Sequence, residues 1–244
     1  MMILNHNYIR QNITNDGDNP VPFRWSHGAT DSDMGDGLLI YSLIQFTRSK
    51  NCVCIGSGGG FIPRIMTQAR IDLHSSGIFE GNPDYNWGDI GATYVVDPCN
   101  GIGGQSNMMD ESGFYRSNFH PRFIKETSEK AFYDFFIMQD IKIDFLFIDG
   151  DHSYDGVSKD FNLYSTIMEK NGIIAIHDTD PNFSENYIVT EDQKKDFHDF
   201  SGPGRFVKDF VDSSWEILNL FNYGSLKNKP ASSGITIFKK KNNA

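Results

Sequence analysis

The 244-residue sequence predicts an α/β fold, a doubly wound and mostly parallel sheet of seven strands that ends in an antiparallel C-terminal hairpin. Three observations carry this expectation. Residues 145–148 (FLFI) and 173–176 (IIAI) are short apolar runs without alternation of polarity, as strands buried on both faces of a parallel sheet require. Between them Val157, Phe161, Tyr164, Ile167 and Met168 recur at helical spacing, with Gly172 as a stop, so the unit reads strand, helix, strand. Such a crossover is right-handed and leaves both strands pointing the same way. At the chain's end, strand-like segments 215–221 and 235–239 flank a turn-rich stretch, 222–234. Strands joined in this manner pair antiparallel and form the edge of a sheet.

The remaining elements follow in order. Residues 1–32 are an N-terminal extension with little periodicity, punctuated by turn signals at Asn15-Asp16-Gly17 and Pro20-Val21-Pro22. A helix is expected over 33–48, its buried face including Leu38, Leu39, Tyr41, Ser42, Leu43 and Phe46. The first strand is 51–55, on which Cys52 and Cys54 share one face as small core residues. It runs into Gly56-Ser57-Gly58-Gly59-Gly60 and then a helix carrying Ile62, Ile65, Met66 and Ala69. Residues 74–91 read as an insertion loop, 93–96 as a second strand closed by Asp97-Pro98, and 100–119 as a glycine-rich loop near the site. A third strand spans 122–126, and Thr127 or Ser128 caps a helix over 129–138. Beyond the central unit, 181–201 is charged and aromatic without a period, as a lid or substrate loop would be. A short helix over 204–212 presents Phe206, Val207, Phe210 and Val211. The whole chain, 1–244, is expected to be a single domain.

Composition narrows the function classes. An apolar fraction of 39% supplies a sizeable core, and a net charge of −10 argues against a nucleic-acid-binding face, which needs clustered cations. The run Lys239-Lys240-Lys241 reads as a solvated tail. The three cysteines lack metal-site and disulfide-framework spacing. No apolar run approaches a membrane span, and residues 1–20 lack a signal peptide's hydrophobic segment, so the expected compartment is the cytoplasm. The oligomeric state is left open, a homo-oligomer included.

Chemistry collects where the buried runs end. Asp149-Gly150-Asp151-His152 follows the first run and His177-Asp178 the second. Parallel strands place both clusters on one carboxyl edge, where open α/β sheets bind ligands. Two solvated strand ends would explain any single aspartate, but three carboxylates and two imidazoles at two such ends indicate a site. The glycine-rich turn lets a ligand approach the backbone, and the helix start behind it favours a polar or anionic group. Its spacing is neither GxGxxG, because position 61 is Phe, nor that of a phosphate-binding P-loop. Asp97 can take both hydroxyls of a ribose, or can simply start the turn before Pro98. His152 is either a base facing the crevice with Asp149 or a loop histidine bonded to backbone.

Taken together, VCIGSGGG, TYVVDP, FLFIDGDHSYDGVSKDF and GIIAIHDT resemble the motifs of class I S-adenosylmethionine-dependent methyltransferases. The nearest resemblance is to the small-molecule O-methyltransferase group related to macrocin O-methyltransferase and the cephalosporin hydroxylase family. It covers residues 51–180 in detail and the final hairpin in outline. The resemblance implies a Rossmann-like methyltransferase that moves a methyl group from S-adenosylmethionine to an oxygen of a small-molecule acceptor, such as a sugar or other metabolite. Gly56, Ser57 and Gly58 would line the cofactor's amino-acid end, with Gly60 in the same turn, and Asp97 would hold its ribose. Asp149, Asp178 and the adjacent position 177 would hold a divalent metal, Mg²⁺ or a transition ion, and His152 would be the catalytic base beside Asp149. Two departures stand out. The gap between Gly60 and Asp97 is long, which fits an insertion. Position 177 is His where metal-dependent members carry Asp or Glu, and imidazole suits Mg²⁺ poorly. His177 then steps out of the ligand set, or the metal is a transition ion, or no metal binds. Two other function classes compete: a metal-dependent hydrolase using Asp149, Asp151, His152, His177 and Asp178, and a nucleotide-binding domain without catalysis.

Overall fold

The computed structural model describes residues 29–30, 33–34, 36–75, 91–101, 121–180, 202–221 and 234–241. The expected N-terminal extension, the insertion loop, the glycine-rich loop after Asp97 and the lid over 181–201 lie wholly or largely outside these residues.

Seven strands form one sheet: β1 (Cys52–Ile55), β2 (Thr93–Val96), β3 (Arg122–Ile124), β4 (Ile143–Ile148), β5 (Met168–His177), β6 (Trp215–Leu220) and β7 (Ile235–Lys240). Their order is β3-β2-β1-β4-β5-β7-β6. The first five run parallel, while β7 is antiparallel to both β5 and β6. A separate ribbon pairs Ala29–Thr30 with Asp33–Met34. Strand order reverses between β1 and β4, which makes the crevice past their carboxyl ends the expected ligand site of such a sheet.

Alternate residues of the strands feed two cores. Cys52, Cys54, Phe145, Phe147, Ile173 and Ala175 meet helices α1 (Asp36–Thr47) and α2 (Phe61–Ser75). Val53, Ile55, Leu146, Ile148, Ile174 and Ile176 meet the other layer. That layer holds α3 (Ser128–Ala131), continued as a π-helical turn over Phe132–Ile137, α4 (Tyr154–Tyr164) with a 3₁₀ turn at Ser165–Ile167, and α5 (Gly202–Asp209). Burial on both faces is the reason these strands read as unbroken apolar runs. Thr127 caps α3, its side chain accepting from Lys130 N–H.

Several expectations need correcting. Helix α1 begins at Asp36 and buries Gly37, Ile40 and Ile44. Ser42 is exposed, as are Leu38 and Phe46 at 44% and 84%, while Leu39, Tyr41 and Leu43 pack against the core only in part. The helix is apolar on several sides, so periodicity does not select a face; the face that packs in one core with α2 carries Ile40 and Ile44, and a Cβ at Gly37 would stand 2.7 Å from the Phe61 ring. Met168 and Gly172 belong to β5, which starts earlier than its apolar run because Glu169, Lys170 and Asn171 form an exposed, polar first half. The helix before it stops by the 3₁₀ turn and not at Gly172. Val211 lies beyond α5 and is 93% exposed. Strand β7 reaches Lys240, one residue past the expected end at Lys239, so the lysine run is only in part a tail. Among the described residues no helix is long and apolar enough to cross a membrane.

Phe161 joins α4, α5 and the C-terminal hairpin. Its ring centroid lies 5.2 Å from Phe206, 5.1 Å from Phe210, 5.2 Å from Trp215 and 5.0 Å from Phe238. Truncating such a buried ring removes both its transfer energy and these contacts. Phe161→Ala should therefore destabilise the protein by about 3–5 kcal/mol in equilibrium urea unfolding. A loss below about 1 kcal/mol would show that the cluster is not closely packed.

Candidate active site

The parallel register fixes the site. Ile55 of β1 is opposite Ile148 of β4, and Ile148 is opposite Ile176 of β5. The residues that follow each strand therefore leave the sheet at one height. Asp149 follows β4, and Asp178 follows His177 at the end of β5 with φ +57°, a left-handed conformation that aspartate tolerates better than most residues. The loop carrying His152 is held at both ends. Asp151 Oδ1 accepts from Ser153 N–H at 2.9 Å, and Ser153 caps α4 by accepting from Gly156 N–H. From the far side Gly202 of α5 packs so closely that a Cβ there would stand 2.1 Å from His152 O. Only glycine permits that approach.

Two imidazoles converge on two carboxylates. His152 Nε2 lies 2.8 Å from Asp178 Oδ2 and 3.4 Å from Asp149 Oδ1. His177 Nδ1 lies 2.9 Å from Asp178 Oδ1 and 3.4 Å from Asp149 Oδ1. One ligand atom each from Asp149, His152 and Asp178 falls within 4.8 Å of the others, the spacing of a single metal ion's ligands. His177 stands beside this trio through Nδ1. The mixed oxygen and nitrogen donors suit Mn²⁺, Fe²⁺, Co²⁺ or Zn²⁺ better than Mg²⁺, so the residues present fit a divalent transition ion. Asp151 does not join them. It is exposed and committed to the α4 cap, which removes one ligand from the hydrolase reading.

Burial alone would lower the pKa of His152, but hydrogen bonds to Asp149 and Asp178, and their charges, outweigh it and push it up to about 10. His177 is likewise raised, against a larger burial effect, by the charges of Asp178 and Asp149. Burial would raise Asp178, yet the charge of His177 and the bonds from both imidazoles bring it down. With both carboxylates fully charged, His152 is an imidazolium at neutral pH and cannot accept a proton. Positive charge on Asp149 and Asp178 would release it.

The glycine-rich turn and Asp97 sit on the same edge. Gly56, Gly58 and Gly60 all have positive φ, of 83°, 49° and 86°. At Gly56 a Cβ would lie 2.0 Å from Asp149 O, so this glycine is demanded by the end of β4 as well as by any ligand. Asp97 is buried, and its Oδ2 accepts from both Ser57 N–H (2.8 Å) and Ser57 Oγ–H (2.7 Å). Its Oδ1 accepts from Cys99 N–H at 2.7 Å. Asp97 thus ties the first turn to the second strand, a role that its sequence position did not suggest, and part of its acceptor capacity remains for a ligand. One further carboxylate reaches the cluster. Asp36 Oδ2 accepts from His177 Nε2–H at 3.1 Å, a contact between positions 141 apart that local spacing cannot reveal.

These shifts fix a pH dependence. The folded value of His152 lies above its ordinary 6.5, so its contribution to stability is complete below pH 6.5 and is lost as pH rises through about 10. Asp178 is depressed, so its contribution is present above its ordinary 3.8 and lost as pH falls through about 2. In chelator-treated protein, the stability advantage of the native chain over His152→Gln should be greatest between about pH 4 and 6.5 and shrink towards pH 10. Urea unfolding at a series of pH values measures it. An advantage that stays flat from about pH 6 to 10 would mean that the carboxylates do not hold His152 as an imidazolium.

Comparison with known proteins shows the family of the chain. A family model described as a methyltransferase domain matches residues 53–179, just over half of the chain. No curated protein matches by sequence. An O-methyltransferase from Bacillus cereus, solved in complex with SAH, is 13% identical with a TM-score of 0.58, over 96% of this chain and 89% of that one. TomG from Streptomyces achromogenes, an O-methyltransferase involved in tomaymycin synthesis and solved with SAM, is 10% identical with a TM-score of 0.59, over 98% and 99% of the two chains. At such identities the likeness is one of fold. The glycine-rich turn, Asp97 and the paired ends of β4 and β5 all lie inside the segment matched by the family model, and the chain belongs to the methyltransferase domain family.

Proposed function

We propose that this methyltransferase moves a methyl group from S-adenosylmethionine to a hydroxyl oxygen of a small molecule, a sugar or other metabolite. The observation that supports this most is the shared wall between the two halves of the site. Asp149 N–H donates to Ile55 O at 2.9 Å, so the carboxylate cluster grows from the same backbone junction as the Gly56 turn. A cofactor lying on that turn, with its ribose on Asp97 and its amino-acid end along Gly56, Ser57, Gly58 and Gly60, has its sulfonium methyl at the edge of the cluster. Both solved O-methyltransferases with SAM or SAH bound share this fold.

The reaction is a displacement in which the acceptor oxygen forms a bond to the methyl carbon as the carbon–sulfur bond breaks and its electron pair stays on sulfur. The protein's task is to align the two reactants and to take the hydroxyl proton. His152, half-buried at the crevice, is the group placed to accept that proton at Nε2. A divalent ion held by Asp149 and Asp178 would supply positive charge, which acidifies a nearby hydroxyl and lowers the hold of both carboxylates on His152. Acceptor choice is assigned to segments 100–119 and 181–201, which follow Asp97 and Asp178 closely in sequence.

Calorimetry tests the cofactor. The native protein should bind S-adenosylmethionine and S-adenosylhomocysteine. Asp97→Ala should weaken both by about ten- to a hundredfold, the weight of a charge-assisted hydrogen bond. Binding of NADH without response to S-adenosylmethionine, or unchanged affinity in Asp97→Ala, would contradict the assignment.

A further inference from the structure

Asp36 has no part in the chemistry described so far, and it lies outside the segment that matches the methyltransferase domain family. It opens helix α1, where a carboxylate is favourable on its own account. Its side chain is nevertheless turned to the end of β5, where Oδ2 accepts from His177 Nε2 at 3.1 Å. The opposite ring nitrogen, Nδ1, points at the cluster, 2.9 Å from Asp178 Oδ1 and 3.4 Å from Asp149 Oδ1. A neutral imidazole carries one proton on one of its two nitrogens. Carboxylates face both nitrogens of His177, so without a cation both are protonated; a cation on Asp149 and Asp178 would displace the Nδ1 proton, while Asp36 keeps the one on Nε2. A histidine that ligates a metal through one nitrogen is usually held through the other by a carboxylate in this manner.

The two imidazoles of the site are therefore not equivalent. The His177 side chain is 3% exposed and fixed at both nitrogens, whereas His152 is 24% exposed. A ligand needs a fixed direction; a base needs access to the acceptor. Resting on the methyltransferase reading above, we propose that Asp36 is a positioning residue. It holds His177 through Nε2–H so that Nδ1 stands with Asp149 and Asp178 as third ligand of a divalent transition ion, while the more exposed His152, whose Nε2 lies 2.8 Å from Asp178 Oδ2, keeps the proton-accepting role. The site would accordingly prefer Co²⁺, Mn²⁺ or Fe²⁺ to Mg²⁺, because one of its three protein donors is nitrogen.

Co²⁺ titration of the full chain without cofactor or acceptor tests this, followed by calorimetry and by the visible absorption of the bound ion. S-adenosylhomocysteine affinity is measured on the same samples. Asp36→Ala should bind Co²⁺ about ten- to a hundredfold more weakly and with an altered spectrum, while retaining S-adenosylhomocysteine affinity within a few-fold. Asp36→Asn keeps an acceptor for Nε2–H and should recover most of the loss, which a merely structural role at the helix start would not require. His177→Ala should lose at least as much as Asp36→Ala, and the double variant no more than His177→Ala alone, since Asp36 acts through that imidazole. Native affinity and spectrum in Asp36→Ala would overturn the proposal. So would a native protein that takes up no Co²⁺ yet binds S-adenosylhomocysteine, a result that leaves methyl transfer standing. Failure of the native protein to bind S-adenosylhomocysteine would instead bring down the methyltransferase reading on which the proposal rests.

Discussion

The in-register parallel pairing of β1, β4 and β5 is the constraint on which the rest depends. Cys54 stands opposite Phe147, and Phe147 opposite Ala175, all facing one core; Ile55, Ile148 and Ile176 face the other. A slip of one residue would move each set to the opposite face, so burial on both sides fixes the register firmly. The same register decides where chemistry can occur. It brings Gly56 against the backbone of Asp149 and sets His177 and Asp178 beside both. Packing far from the site thus determines the distances inside it.

Those distances create an electrostatic problem that the site turns to use. Asp149 and Asp178 share one small space, and buried carboxylates are tolerated only when paired. Two imidazoles supply the pairing, and Asp36 balances the second of them from behind. Such clusters contribute little net stability, because desolvation offsets the attraction. What the pairing fixes is orientation: each imidazole is held at a set distance from both carboxylates. Asp97 is oriented in a similar way, its carboxylate fixed in place by two donors of Ser57.

Much of this was legible in the sequence because strands buried on both faces leave uninterrupted apolar runs and abrupt charged ends. Residues 145–148 and 173–176 announced β4 and β5, and with them Asp149, His152, His177 and Asp178. Other features depend on contacts that no local pattern encodes. The buried face of α1 is set by packing against α2, not by the spacing of its own apolar residues. The first half of β5 is exposed and polar, and so resembles a loop. Gly56 reads as a ligand-binding glycine, yet its Cβ position is taken by Asp149 O. Asp36 reads as an ordinary acidic helix start, and only the folded chain brings it to His177.

The central claim is that one crevice combines a cofactor seat on the Gly56 turn with a proton-accepting cluster at the ends of β4 and β5. A crystal structure of the protein with S-adenosylhomocysteine tests it most directly. The account predicts ribose hydroxyls on Asp97, the amino-acid end along the turn from Gly56 to Gly60, and the sulfur facing Asp149, His152 and Asp178. Cofactor bound elsewhere on the protein, or bound with its sulfur turned away from those three residues, would contradict it.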